Sequence, residues 1–343
     1  MITAPRAAAI AIVTAAAAAQ LGHAPPARAD QSATKVSCTL RGMAQMPVNL
    51  AIYDKPSGGS PIARFSGGET ALAASDFFAD GGKRVEIQTG TGTGSFRIAG
   101  YIDASKVPVF TKHRVSVISG NVWIAPNRSV SVLGGRGGKL KIQKKIDTPL
   151  NQTFSTWASC SSLTLDDNTP PGWTVPGHAR GYVLKKDSAE LFDGVGSDRS
   201  SVTTLYRAAG GTGVLFWSQE RKGAFVNIEY HGDVEIRGWV RSRDLKALPR
   251  GETMDVQHGP VSKRKPPQLA LAQKPDLVKT EKEIPIRIGA GEDKPVIGRI
   301  EADTETYVLD TVAGWASVLP KSLNVAPYGD NQFWVKASDL PKP

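Results

Sequence analysis

GWVRSRDL at residues 238–245 and FWVKASDL at residues 333–340 are one phrase written twice, and AGYIDASK at 99–106 is a looser copy of it. Each closes a segment of about sixty residues in which apolar positions alternate, glycines interrupt and no helical period is sustained. Repetition at that length marks small supersecondary units arrayed along one chain. Alternation with a period of two, broken by Gly, Pro and Asp turns, is the pattern of strands. The expected class is all-β.

The last segment, 283–341, shows the pattern most fully. It opens with IPIRIGAGEDKPVIGRI (284–300), where Ile284, Ile286 and Ile288 alternate ahead of a Gly-rich turn. A second apolar run leads to Gly314-Trp315, then Ala316 to Leu319, a polar loop, and Phe333-Trp334-Val335. In order and spacing this segment resembles the bacterial SH3-like (SH3b) domain, carried by Ile286, Arg287, Val296, Ile297, Gly298, Trp315, Val318, Trp334, Val335 and Leu340. Two departures are Phe333, where the family usually has glycine, and an insertion at 320–331.

The resemblance implies a partly open five- or six-stranded barrel, of the kind exported proteins use to bind cell-wall material or other proteins. Segment 178–249 resembles it through Gly238-Trp239-Val240, Leu245, Val214, Phe216 and Ala224 to Val226, and segment 46–107 does so more loosely. Segment 113–165 alternates at Val115, Val117, Val122 and Ile124 but lacks the Gly-Trp-Val ending. It is either a degenerate copy or the completion of a larger N-terminal domain. The expectation is therefore tandem small SH3-like β-barrels.

Cys38 precedes the first segment and Cys160 closes the second. A disulfide between them would make residues 36–165 one closed module, with two buried thiols as the alternative. A unit of about sixty residues buries only about 60% of the surface its unfolded chain exposes, so a staple or a neighbour is physically useful.

Arg6, the apolar run at 7–19 and Ala27-Arg28-Ala29 read as a signal peptide over 1–29, cleaved before Asp30. The apolar run is too short to span a bilayer, and no later stretch qualifies. Lys35-Val36-Ser37 ahead of Cys38 does not suit a lipid-anchor site. The expected location is periplasmic or extracellular. The net charge of +10 includes Arg6 and Arg28, and cleavage leaves +8, with basic residues spread out except at Lys263-Arg264-Lys265. That balance favours anionic partners, though an exported chain is not expected to meet nucleic acid. Residues 250–282, rich in Lys and Pro and free of aromatics, read as a flexible linker holding the last unit at a variable distance. Residues 166–172 read as a shorter hinge.

Chemistry-bearing motifs are sparse. His113, His178, His231 and His258 fall in no zinc-ligand spacing. His231-Gly232-Asp233 reads as a turn before a repeat ending. GGRGGKL (134–140) lacks the Ser or Thr of a phosphate loop, and TGTGTGS (89–95) reads as a hairpin tip. No metal, cofactor or catalytic set is expected. The candidates for a ligand groove are aromatic: Trp217, Tyr230 and Trp239 in the third unit, and Trp315, Tyr328 and Trp334 in the fourth. Trp239 and Trp334 read first as plugs of their own cores and only second as groove residues, whereas Trp315 and Tyr328, flanked by turn residues, read as the exposed pair.

The function expected is a non-catalytic, exported binding or scaffold protein of the bacterial envelope. Its partners would be peptidoglycan or other wall polymer, or an envelope protein. Two rival readings are an adaptor or inhibitor acting through the N-terminal module, and a wall hydrolase with an unrecognised site.

Overall fold

Alternating sequence dictates strands, and strands are what form. The structure, a computed structural model, describes residues 38–78, 82–90, 94–118, 120–168, 172–207, 214–249, 271 and 275–341. The signal-peptide reading, most of the linker and parts of the 166–172 hinge and the 89–95 tip lie outside these residues. Among the described residues the helical pieces are short 3-10 turns, and no helix is long and apolar enough to cross a membrane.

The first segment supplies β1 (Leu40–Gln45), β2 (Ala51–Tyr53), β3 (Pro61–Phe65), β4 (Glu69–Ser75), β5 (Arg84–Thr89) and β6 (Phe96–Asp103). The second supplies β7 (Val109–Thr111), β8 (Val115–Ile118), β9 (Val122–Ile124), β10 (Ser129–Arg136), β11 (Lys139–Ile146), β12 (Gln152–Ser159) and β13 (Leu163–Thr164). The third supplies β14 (Arg180–Leu184), β15 (Ser188–Phe192), β16 (Ser201–Tyr206), β17 (Phe216–Lys222), β18 (Phe225–His231), β19 (Val234–Arg241) and β20 (Leu245–Ala247). The fourth supplies β21 (Asp276–Lys279), β22 (Ile284–Arg287), β23 (Val296–Ile300), β24 (Glu305–Val312), β25 (Trp315–Pro320), β26 (Val325–Pro327) and β27 (Phe333–Lys336).

These strands form three sheets that do not follow the segment boundaries. One runs β1-β4-β5-β6-β23-β22-β27-β25-β24-β21, with β2, β3 and β26 attached, and so joins the first and last segments. The second runs β12-β11-β10-β7-β13. The third runs β16-β15-β19-β18-β17-β14-β20, and the β8–β9 hairpin of the second segment pairs with its β19. The sheets are open rather than closed barrels, because exposed edges of one segment are completed by strands of another. Two cores follow the same division. One gathers side chains from the first, second and fourth segments, and the other from the third with Val122, Ile146, Leu150 and Phe154 of the second. The Cys38–Cys160 disulfide forms, with the two Cα atoms 5.7 Å apart.

The repeated phrase has a backbone meaning. After each closing strand comes a 3-10 turn, at Ala104–Lys106, Ser242–Asp244 and Ala337–Asp339. The first amide of each turn donates to the carbonyl just ahead of the neighbouring strand: Ala104 to Lys83 (3.0 Å), Ser242 to Ala224 (2.8 Å), Ala337 to Gly314 (2.9 Å). The second segment does the same, for Cys160 opens the turn Cys160–Ser162 and donates to Gly138 at 3.1 Å. TWASCSSL (156–163) is therefore a further copy of the ending. Thr156 in place of glycine and the bonded cysteine had hidden it.

Glycine in the phrase is a steric requirement. A Cβ on Gly100 would lie 2.7 Å from the Tyr53 carbonyl oxygen, and one on Gly238 would lie 2.8 Å from that of Phe192. The fourth copy departs here, and both of its departures serve contact with the first segment. Phe333 is fully buried with its ring centroid 5.8 Å from that of Phe96. The 320–331 insertion forms β26, whose Val325, Ala326 and Pro327 pair with Phe65, Arg64 and Ala63. A second seam pairs Gly298, Arg299 and Ile300 with Ile98, Arg97 and Phe96. The last unit is thus hydrogen-bonded to the first rather than held at a variable distance by the linker. The final residues of the linker segment are themselves a strand, β21, on β24.

Candidate functional site

Period-two alternation decides where the aromatic residues of the phrase point. In β19 the core receives Val234, Ile236, Gly238 and Val240, which leaves Arg237, Trp239 and Arg241 on the outer face. In β27 Phe333 and Val335 are buried, so Trp334 and Lys336 face outward. Neither Trp239 nor Trp334 plugs a core, and both are half-buried on the outside. The same position is Tyr101 in the first copy and Trp157 in the second, each followed by a buried residue, Ile102 and Ala158. Trp157 is 47% exposed and pairs directly with Lys141. Every copy of the ending therefore presents one aromatic ring outward at an equivalent place.

The register in the first, third and fourth copies is equivalent too. Tyr53 pairs with Tyr101, Phe192 with Trp239 and Arg287 with Trp334, each partner standing at a bulge. On the fourth unit Ser317 lies opposite Trp334 and Trp315 opposite Lys336, so Trp315 is a diagonal neighbour of Trp334 on one face. Tyr328 is exposed, but it follows β26 at the seam, where its amide donates to the Ile62 carbonyl. Among the described residues no ring contact joins it to Trp315 or Trp334. Trp315 is half-buried.

The three candidates of the third unit divide between its faces. Trp217 opposes Glu229, which opposes Arg237, while Trp239 opposes Asn227, all on the outer face. Tyr230 points the other way and packs on buried Phe216, with centroids 5.9 Å apart. Burial first, and the nearby Asp233 carboxylate second, hold its hydroxyl above the usual phenol range, with Arg128 opposing. Trp217 instead meets Trp173 (centroids 6.3 Å), and Trp173 stacks on His231 at 4.0 Å. The sequence had singled out neither ring of that stack as a groove residue, because Trp173 lies beside the hinge, far from the repeat.

No family model, curated protein or solved structure matches this chain.

The geometry must therefore speak alone. His231 Nε2 sits 3.5 Å from Glu229, which itself pairs with Arg237 at 2.9 Å, so the imidazole lies against the Trp173 ring and beside that ion pair. His178 bonds Gln219 at 2.6 Å. Among the described residues no three His, Cys, Asp or Glu side chains gather as a metal site would require. Both cysteines are consumed in the disulfide, which leaves no thiol for nucleophilic chemistry. GGRGGKL is a hairpin turn with Gly137 and Gly138 at φ 54° and 72°, followed by a strand. What the surface does offer is aromatic area beside cations: Trp157 with Lys141, Trp334 with Arg287, and Trp315 with Lys336. Such faces stack on apolar rings or planes while the charge meets polar or anionic substituents.

Proposed function

We propose that the protein is a non-catalytic, exported binding protein of the bacterial cell envelope, built of SH3-like units that have opened and fused, which holds peptidoglycan or wall-associated material. The observation that carries this reading is the outward aromatic recurring at Tyr101, Trp157, Trp239 and Trp334. A ring kept out of the core at each copy, where the neighbouring residues are buried, contributes little to its own unit's packing. It suits a repetitive ligand, to which several weak contacts on one chain add avidity. The disulfide agrees with an oxidising compartment, and the net positive charge agrees with an anionic surrounding.

Trp239→Ala and Trp334→Ala are each expected to weaken binding to insoluble peptidoglycan about five- to tenfold, roughly 1–1.4 kcal/mol. The triple variant with Trp157→Ala should lose more than any single one. Circular dichroism and melting temperature should hold, since none of these rings is in a core. A triple variant that sediments with wall material as the unaltered protein does would sink the reading.

A further inference from the structure

Beside Trp239 the third unit carries a cleft of about 450 Å³ lined by Arg199, Arg221, Arg241 and Arg243 with Phe225 and Ser242. Such a concentration of cations is costly unless something neutralises it. Carboxylates do not: among the described residues none of these arginines forms an ion pair. Three acids near them in sequence are engaged elsewhere. Asp244 pairs with Lys186 at 3.3 Å, Glu220 accepts from Asn227 at 3.1 Å, and Asp193 accepts from the Ser200 amide at 2.7 Å.

Aromatic faces hold two of the guanidinium groups, and backbone carbonyls take one donor each from Arg199 (to Gly196, 2.8 Å) and Arg221 (to Gly223, 3.3 Å). Arg199 lies 5.5 Å from the Phe192 ring centroid and 5.2 Å from that of Phe225, and Arg241 lies 5.4 Å from that of Phe192. Cation–π contact positions a guanidinium without spending its charge or its N–H donors. Two polar atoms at the cleft, Arg199 Nε and Ser242 Oγ, are also buried with no hydrogen-bond partner. Buried polar atoms normally have partners, so these two keep hydrogen-bonding capacity that no protein group uses.

We propose that this cleft is a binding site for a multiply charged phosphate group, a diphosphate or a closely spaced pair of phosphates. One carboxylate would balance one guanidinium, whereas four guanidiniums match an anion with several oxygens and at least two charges, each able to take forked N–H donors. The group could be borne by a wall polymer, a lipid headgroup or a small solute, and the chemistry recognised is the same. The site stands on its own residues, whether or not Trp239 touches a polymer.

Isothermal titration with inorganic pyrophosphate tests it. Saturable one-site binding is expected, at least tenfold tighter than orthophosphate, with acetate not competing. Arg199→Gln/Arg241→Gln should weaken it at least tenfold. Arg221→Gln/Arg243→Gln, which alters no ring contact and gives up one hydrogen bond, from Arg221 Nε to the Gly223 carbonyl, should also weaken it, and Trp334→Ala, on the fourth unit, should leave it unchanged. That last variant separates this site from wall binding, since it should lose wall affinity and keep pyrophosphate. Co-sedimentation with vesicles of cardiolipin, which carries two linked phosphates, and phosphatidylcholine assigns the source: arginine-dependent retention places it on a lipid, and pyrophosphate binding without retention places it on a polymer or solute. Absence of saturable pyrophosphate binding, or binding indifferent to both arginine pairs, would overturn the proposal.

Discussion

Cys160→Ser is expected to lower the unfolding free energy by about 4–5 kcal/mol, the loop-closure value for a bridge spanning 122 residues. With a denaturant slope of about 3 kcal/mol per M, the urea midpoint falls by about 1.5 M. The size follows from what the bond closes. Cys38 enters ahead of β1 and Cys160 opens the turn after β12, so the bond fixes the first segment to the end of the second. The Met43 amide bonded to Asp166 at 2.7 Å holds the same junction and is too weak to replace it. Cys38→Ser should give the same loss, and the double variant no more, because either change breaks one and the same bond. A loss under about 1 kcal/mol in chemical denaturation would show that packing alone closes the module.

Gly298→Val has the second large effect, and it acts on the seam between the first and last segments. A Cβ at Gly298 would lie 1.9 Å from the Arg97 carbonyl oxygen, and that oxygen belongs to backbone that cannot rotate aside. The pairs from Gly298–Ile98 to Ile300–Phe96 must then separate. The expected cost is about 3 kcal/mol or more, above the usual range for overpacking because backbone rather than side chain is displaced. Limited proteolysis should cut near β23 in the variant and spare the unaltered protein. Hydrogen exchange should rise at Glu301, whose amide donates to the Ser95 carbonyl across the seam at 3.0 Å, while the third unit stays protected. Unchanged exchange at that amide would show that the seam does not hold the segments together.

Local pattern made the strands legible, and long-range pairing made their assembly illegible. The alternation of Ile284 and Ile286, or Val85 and Ile87, identified the elements and their buried faces. Nothing local announces that Gly298 pairs with Ile98, two hundred residues away, because no turn between them sets the register. The hints were the departures: Phe333 where glycine stands elsewhere, and the 320–331 insertion, both of which prove to be seam. Trp157 was missed because Thr156 replaces the glycine that marked the phrase. Trp239 and Trp334 could be placed on the outer face by counting alternate residues from Val240 and Val335, a step that naming them core plugs had skipped. The arginine cleft gathers Arg199 and Arg241 from separate strand ends, so no stretch of sequence shows it.

Co-sedimentation of residues 30–343 with purified insoluble peptidoglycan at low and high salt, with turbidity followed in the same tubes, tests the central claim most directly. Ring stacking does not depend on ionic strength as surface charge does, so retention that survives high salt with constant turbidity is the result predicted. Loss of protein from the pellet at both salts, or clearing of the suspension, would contradict it: the first would point to a protein partner, the second to hydrolysis.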